Sequence, residues 1–144
     1  MEEKKCFIYI DGAARGNPGE AGIGISIKNG QGKPLRQLYK YIGQATNNAA
    51  EYTALIYALQ EAFILGLKNA VVHSDSELLV KQLNGEYRVK NANLKSYFEQ
   101  FLHLKRGFSS LEIRQISREQ NKESDKLANQ AIDARIDSSL KIRG

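Results

Sequence analysis

Cys6-Phe7-Ile8-Tyr9-Ile10-Asp11 is the stretch on which the reading of this chain turns. Residues 5–11 are apolar at nearly every position, the pattern of a central strand covered on both faces. The run ends on a carboxylate, and a carboxylate is costly to hold near a core unless something pairs with it. Downstream, Gly12-Ala13-Ala14-Arg15-Gly16-Asn17-Pro18-Gly19 reads as a loop by composition. Ile23, Ile25 and Ile27 alternate with Gly24 and Ser26 as a half-buried strand. Asn29-Gly30-Gln31-Gly32 marks a hairpin turn, and residues 33–42 return as a third strand.

From residue 46 the period changes. Thr46-Asn47-Asn48 offers N-cap residues and Gly66 a C-cap, with Leu55, Ala58, Ala62 and Leu65 at helical spacing between them. Ala70 to Ser74 predicts a short strand ending at Asp75, followed by a helix over 76–83 that stops at Asn84-Gly85. A polar connection leads to a helix near 94–105, a strand carrying Leu111, Ile113 and Ile116, and a last helix from about Asn121. The order β-β-β-α-β-α-α-β-α predicts an α/β fold: a five-stranded mixed sheet, three strands antiparallel and then two parallel, flanked by helices. One domain is expected over residues 1–144, with a loose tail from about 138.

The composition is that of an ordinary soluble domain: 42% hydrophobic, 26% charged. A net charge of +5 suits a polyanionic partner without requiring one. The single cysteine, Cys6, excludes an internal disulfide and any cysteine-based metal site, and its place in the first strand favours a buried, inert thiol. Met1 to Lys5 lacks the apolar stretch of a signal peptide, and no segment is apolar enough to span a membrane, so a cytoplasmic monomer is expected.

Four acids sit where elements run into the open. Asp11 and Asp75 end strands, and Glu51 and Asp125 lie one turn into helices. Glu51 stands four residues before Leu55, at the head of the apolar stripe, where a surface glutamate would not belong. Taken singly each has a plain structural reading: Asp11 as a turn former, Glu51 and Asp125 as carboxylates favouring a helix dipole, Asp75 as a cap. Converging carboxylates raise one another's pKa, and a cluster makes sense when divalent cations neutralise it; hard oxygen ligands point to Mg2+ or Mn2+. His73 and His103, and the aromatic residues Tyr87, Tyr97, Phe98 and Phe101, read as packing.

At these acids the chain resembles type 1 ribonuclease H. The matching motifs are Tyr9-Ile10-Asp11-Gly12 with Gly16-Asn17-Pro18-Gly19, Thr46-Asn47-Asn48-Ala49-Ala50-Glu51, Ser74-Asp75-Ser76, and Asn121-Lys122-Glu123-Ser124-Asp125. They follow the family's order and cover nearly the whole chain. The resemblance implies hydrolysis of the RNA strand of RNA–DNA hybrids, leaving 5′-phosphate and 3′-hydroxyl ends, with two Mg2+ ions roughly 4 Å apart and Mn2+ as a substitute. By motif, Asp11 would bridge both ions, Glu51 and Asp75 would hold the one on the leaving-group side, and Asp125 the one that positions the water. Gly12, Ala14, Asn17, Asn47 and Glu77 match positions that touch the hybrid, where the 2′-hydroxyl distinguishes RNA from DNA. Thr46 and Asn91 resemble the pocket for a DNA-strand phosphate, and Thr46 at a helix N-terminus suits an anion in its own right.

The chain departs from the family's pattern in three places. The basic, tryptophan-bearing protrusion of many bacterial members is replaced by the short stretch 84–93, as in the compact archaeal-type subgroup, leaving Arg15, Arg88, Lys90 and Lys122 as candidate cations for substrate grip. A histidine common before the last acid is absent from Ser117-Arg118-Glu119-Gln120; Arg118 supplies a charge there but arginine cannot shuttle protons. Glu77 stands where glutamine is common, and a carboxylate can accept from a 2′-hydroxyl or a guanine amino group but cannot donate. The rival readings are a non-catalytic module binding hybrid or double-stranded RNA, against which four acids facing phosphates argue, and a resolvase-like nuclease. Double-stranded RNA as a side substrate stays open.

Overall fold

The backbone order is set by which strands can pair through short turns and which need a crossover. In the computed structural model, which describes the backbone of residues 5–143 and side chains through 135, β1 (Lys5–Gly16), β2 (Gly19–Asn29) and β3 (Pro34–Ala45) form an antiparallel meander. α1 (Asn47–Ile64) crosses to β4 (Asn69–Ser74), and α2 (Glu77–Leu83) and α3 (Ala92–Lys105) lead to β5 (Ser110–Gln115). A 3-10 turn, Arg118–Asn121, enters α4 (Lys122–Arg143). The sheet order is β3-β2-β1-β4-β5, with β4 parallel to both β1 and β5. The predicted mixed sheet of three antiparallel and two parallel strands is what forms. Residues 1–4, whose polarity argued against a leader, lie outside the described residues, and so do the side chains of the tail expected to be loose.

The segment 12–19 corrects the sequence reading. Gly12 to Gly16 is strand, paired residue by residue with Gly19 to Ile23, and only Asn17-Pro18, joined by a cis peptide bond, forms the turn. Its small residues serve close packing rather than a loop. Asn29 makes the other hairpin as expected: its carbonyl accepts from Gly32 N–H, and its side-chain oxygen from the N–H groups of Gln31 and Lys33.

The two faces of the sheet are covered differently. Cys6, Ile8 and Ile10 of β1 and Ile23, Ile25 and Ile27 of β2 are all at most 1% exposed and form the main core with Leu55 and Leu59 of α1 and Phe101 of α3. Burial pushes the Cys6 thiol up, keeping it unreactive. On the opposite face α4 lies directly on β2. A Cβ at Gly24 would stand 2.1 Å from the Ser124 carbonyl, so only glycine lets the helix approach this closely. Beyond α4 that face carries His73, which stacks on Tyr9 at 4.5 Å and hydrogen-bonds the Ile8 carbonyl through Nδ1. It packs, as expected, and burial lowers its pKa. Phe101 is core and Tyr97 and Phe98 pack against it, while Tyr87 is exposed. Glu61 is largely covered and paired with Arg36.

Candidate active site

Four elements converge beyond the end of β4. Asp11 points from β1 two residues past Tyr9, where the ladder with β4 stops at the Tyr9–His73 pair. Asp75 follows the last residue of β4, and Ser76, not Asp75, caps α2 by accepting from Leu79 N–H. Glu51 sits in the first turns of α1, whose cap is Thr46, accepting from Ala49 N–H. Asp125 is the fourth residue of α4.

Ligand oxygens of Asp11, Glu51 and Asp75 all lie within 4.8 Å of one another. Asp11 and Glu51 are 5% and 4% exposed, Asp75 is half-buried and Asp125 exposed. Burial first, and then the charges of Glu51 and Asp75, push the Asp11 carboxyl up to about 10. Burial pushes Glu51 up to about 7, against the Gly12 N–H and the Arg118 charge, which favour its ionised form. One oxygen of Glu51 accepts from Gly12 N–H at 3.2 Å; its buried Oε2 has no hydrogen-bond partner. Gly12 permits this contact, since a Cβ there would meet the Ala50 carbonyl carbon at 2.3 Å. An unpartnered carboxylate oxygen inside a cluster of like charges fits a divalent cation, which would neutralise the cluster. The donors are all hard oxygens, so Mg2+ or Mn2+ fits and a thiophilic metal does not.

A cavity of about 470 Å³ opens over the cluster, lined by the four acids with Gly12, Ala13, Ala14, Asn47, Ser76, Glu77 and Arg118. Glu77 is tied to Lys81 at 3.2 Å. A second cavity of about 720 Å³ gathers Asn17, Thr46 and Asn91. Thr46 and Asn91 cap α1 and α3, so two helix N-termini face it. Asn91 Oδ1 accepts from Asn93 and Leu94 N–H, leaving its amide hydrogens to donate outward. Asn17 Oδ1 accepts from Asn47 N–H and joins the two cavities.

Two cations stand elsewhere. Arg15 is turned onto α4, where it pairs with Asp133 at 2.7 Å and contacts Asn129, itself bonded to Asp125. Lys90 lines a shallow surface pocket with Tyr87 and Arg88. Sequence reasoning assigned no role to Asn121, although it lay in a quoted motif. It is 1% exposed, and its amide donates to the Ile10 carbonyl at 2.8 Å and to Asp75 Oδ2 at 3.1 Å.

The family model described as Reverse transcriptase-like matches residues 9–131. Ribonuclease HI of Halobacterium salinarum is 39% identical over 90% of this chain, and this chain spans 65% of it; the crystal structure of that organism's RNase H1 superposes with a TM-score of 0.88. LC11-RNase H1, solved in complex with an RNA/DNA hybrid, is 43% identical over 91% of this chain and 99% of its own, with a TM-score of 0.87. The N-terminal RNase H domain of Rv2228c from Mycobacterium tuberculosis is 38% identical over 95% of this chain and 99% of its own, with a TM-score of 0.90. This chain spans 37% of the whole bifunctional Rv2228c protein. The sheet order, the acids and a match running through nearly every element agree: this chain belongs to the type 1 ribonuclease H family.

Proposed function

We propose that this protein is an endoribonuclease that hydrolyses the RNA strand of RNA–DNA hybrids, leaving 5′-phosphate and 3′-hydroxyl ends. The observation that carries the reading is the buried triad Asp11, Glu51 and Asp75 with its orphaned Glu51 oxygen, at the floor of an open cavity. The hybrid seen with LC11-RNase H1 supports the choice of substrate.

Asp11 would be shared between two Mg2+ ions, with Glu51 and Asp75 holding one and Asp125 the other; Mn2+ would substitute. Bound there, the ions supply the positive charge that activates a water and stabilises the leaving oxygen. The exposure of Asp125, against the burial of Asp11, supports giving Asp125 the ion that positions the water. Gly12 and Ala14 keep one wall low enough for the backbone to approach a ribose. Glu77 offers an acceptor to a 2′-hydroxyl or guanine amino group, and Lys81 holds it in place. Arg118 adds a positive charge at the rim, where it favours the ionised form of Glu51. Asn17, Thr46 and Asn91 would hold a phosphate of the DNA strand at the paired helix N-termini. Lys90, beside Arg88, would meet backbone phosphates further out, and Arg15, paired with Asp133 on α4, would add a further cation for substrate grip.

No helix among the described residues is long and apolar enough to cross a membrane, and the lone buried thiol suits a reducing cytoplasm, with the chain working as a monomer. The test is cleavage of an end-labelled hybrid across a Mg2+ titration, followed by ligation of the fragments. Metal-dependent products that ligate without end repair support the reading. Products carrying 3′-phosphates would exclude it.

A further inference from the structure

The acids come from elements that separate at the site. The β1–β4 ladder ends at Tyr9 and His73, after which β1 continues paired with β2 as far as Gly16, while β4 stops at Ser74. Asp11 and Asp75 therefore sit just past the last ladder pair, on diverging backbones. Asn121 spans that gap. Its Nδ2 donates both to the carbonyl of Ile10, the residue before Asp11, and to Asp75 Oδ2. Its Oδ1 accepts from Ser124 Oγ at 2.5 Å, one residue before Asp125. Ser124 is fully buried and also contacts the Asn121 carbonyl. Both hydrogens and the oxygen of one buried amide are thus committed to the neighbours of three acids. Asparagine is required for this: leucine has no donors, and aspartate would present a carboxylate to Asp75.

We infer that Asn121 is a positioning residue that sets the spacing of Asp11, Asp75 and Asp125 and fixes the rotation of the Asp75 carboxylate, so that the acids are arranged for divalent metal before it arrives. This rests on the metal-dependent reading given above. Partners that orient metal ligands are worth roughly ten- to hundredfold in metal affinity.

The experiment is titration calorimetry of Mn2+ into substrate-free protein, wild type against Asn121→Asp and Ser124→Ala, with thermal unfolding in chelator and cleavage across a Mg2+ series. Asn121→Asp removes the donors at constant volume. Ser124→Ala leaves the Asp75 bond but frees the amide to rotate. We expect Mn2+ binding to weaken at least tenfold in Asn121→Asp and severalfold in Ser124→Ala. Cleavage should fall at limiting Mg2+ and recover largely at saturation, which a purely structural defect would not do. Affinity within twofold of wild type in both folded variants overturns the inference. Should Asn121→Asp not fold, unchanged affinity in Ser124→Ala overturns it alone. Wild-type protein that binds no Mn2+ would instead refute the underlying metal reading.

Discussion

Replacing Asp11 by asparagine should destroy activity and yet stabilise the metal-free protein, increasingly so as pH rises. The folded carboxyl is pushed from 3.8 up to about 10, by burial and then by Glu51 and Asp75. Between those values the folded chain keeps a proton that the unfolded chain releases. Folding stability is therefore fully present below about pH 4 and drains away as pH climbs toward the folded value. Each pH unit in that window is worth about 1.4 kcal/mol, so the ceiling on the loss by pH 7 is roughly 4 kcal/mol. Glu51, raised to about 7, adds to the loss over the lower part of the window. Asparagine copies the protonated acid without a proton to take up. For a chain of this size about 2–4 °C accompanies each kcal/mol, so the ceiling corresponds to a gain in Tm of roughly 8–16 °C at pH 7. The assay is thermal unfolding by circular dichroism in chelator at about pH 4.5, 7 and 8.5, wild type beside Asp11→Asn. The gain should be smallest at the lowest pH, where its ceiling is about 1 kcal/mol, and largest at the highest. With saturating Mg2+ the order should narrow or reverse, because wild type is stabilised by a ligand the variant binds poorly. A gain independent of pH, or a variant less stable at every pH, would refute the argument that Asp11 is held protonated.

Three other changes test the frame around the acids. Gly24→Ala drives a methyl into the Ser124 carbonyl and should cost about 1–3 kcal/mol or more in chemical denaturation, with loss of activity as α4 lifts; a neutral result would mean that α4 is not seated on β2. Tyr52→Phe strips the buried 2.6 Å hydrogen bond to Gln82 Oε1 and should cost about 1–3 kcal/mol, leaving Mg2+ dependence unchanged. Arg118→Ala should slow single-turnover cleavage roughly tenfold or more, with hybrid affinity little altered. A large loss of binding at unchanged rate would make Arg118 a phosphate contact instead.

The fold was readable because hydrophobic period and turn chemistry agree over most of the chain, as in the continuous run of β1 and the Asn29-Gly30 hairpin. Glu51 was readable because a surface glutamate would more often sit opposite the apolar stripe than at its head, and it proves 4% exposed. The misreading of Gly12 to Gly16 has a plain cause: local composition reports turn propensity, whereas these small residues answer to α1 pressing on Gly12. Asn121 carried no signal either, since a polar residue before a helix reads as a cap. Only the tertiary fold shows it buried against Ile10 and Asp75. Arg15 illustrates the same point in reverse, a free cation by sequence whose partner, Asp133, lies 118 residues away.

The most direct test of the central claim is cleavage of one end-labelled sequence presented as RNA–DNA hybrid, duplex RNA, duplex DNA and single strands, each with Mg2+, Mn2+ or chelator. We predict metal-dependent cutting of the RNA strand, chiefly in the hybrid, and none in chelator. Hybrid binding without cutting in either metal would contradict the account and make this chain a binding module that keeps four acids without using them.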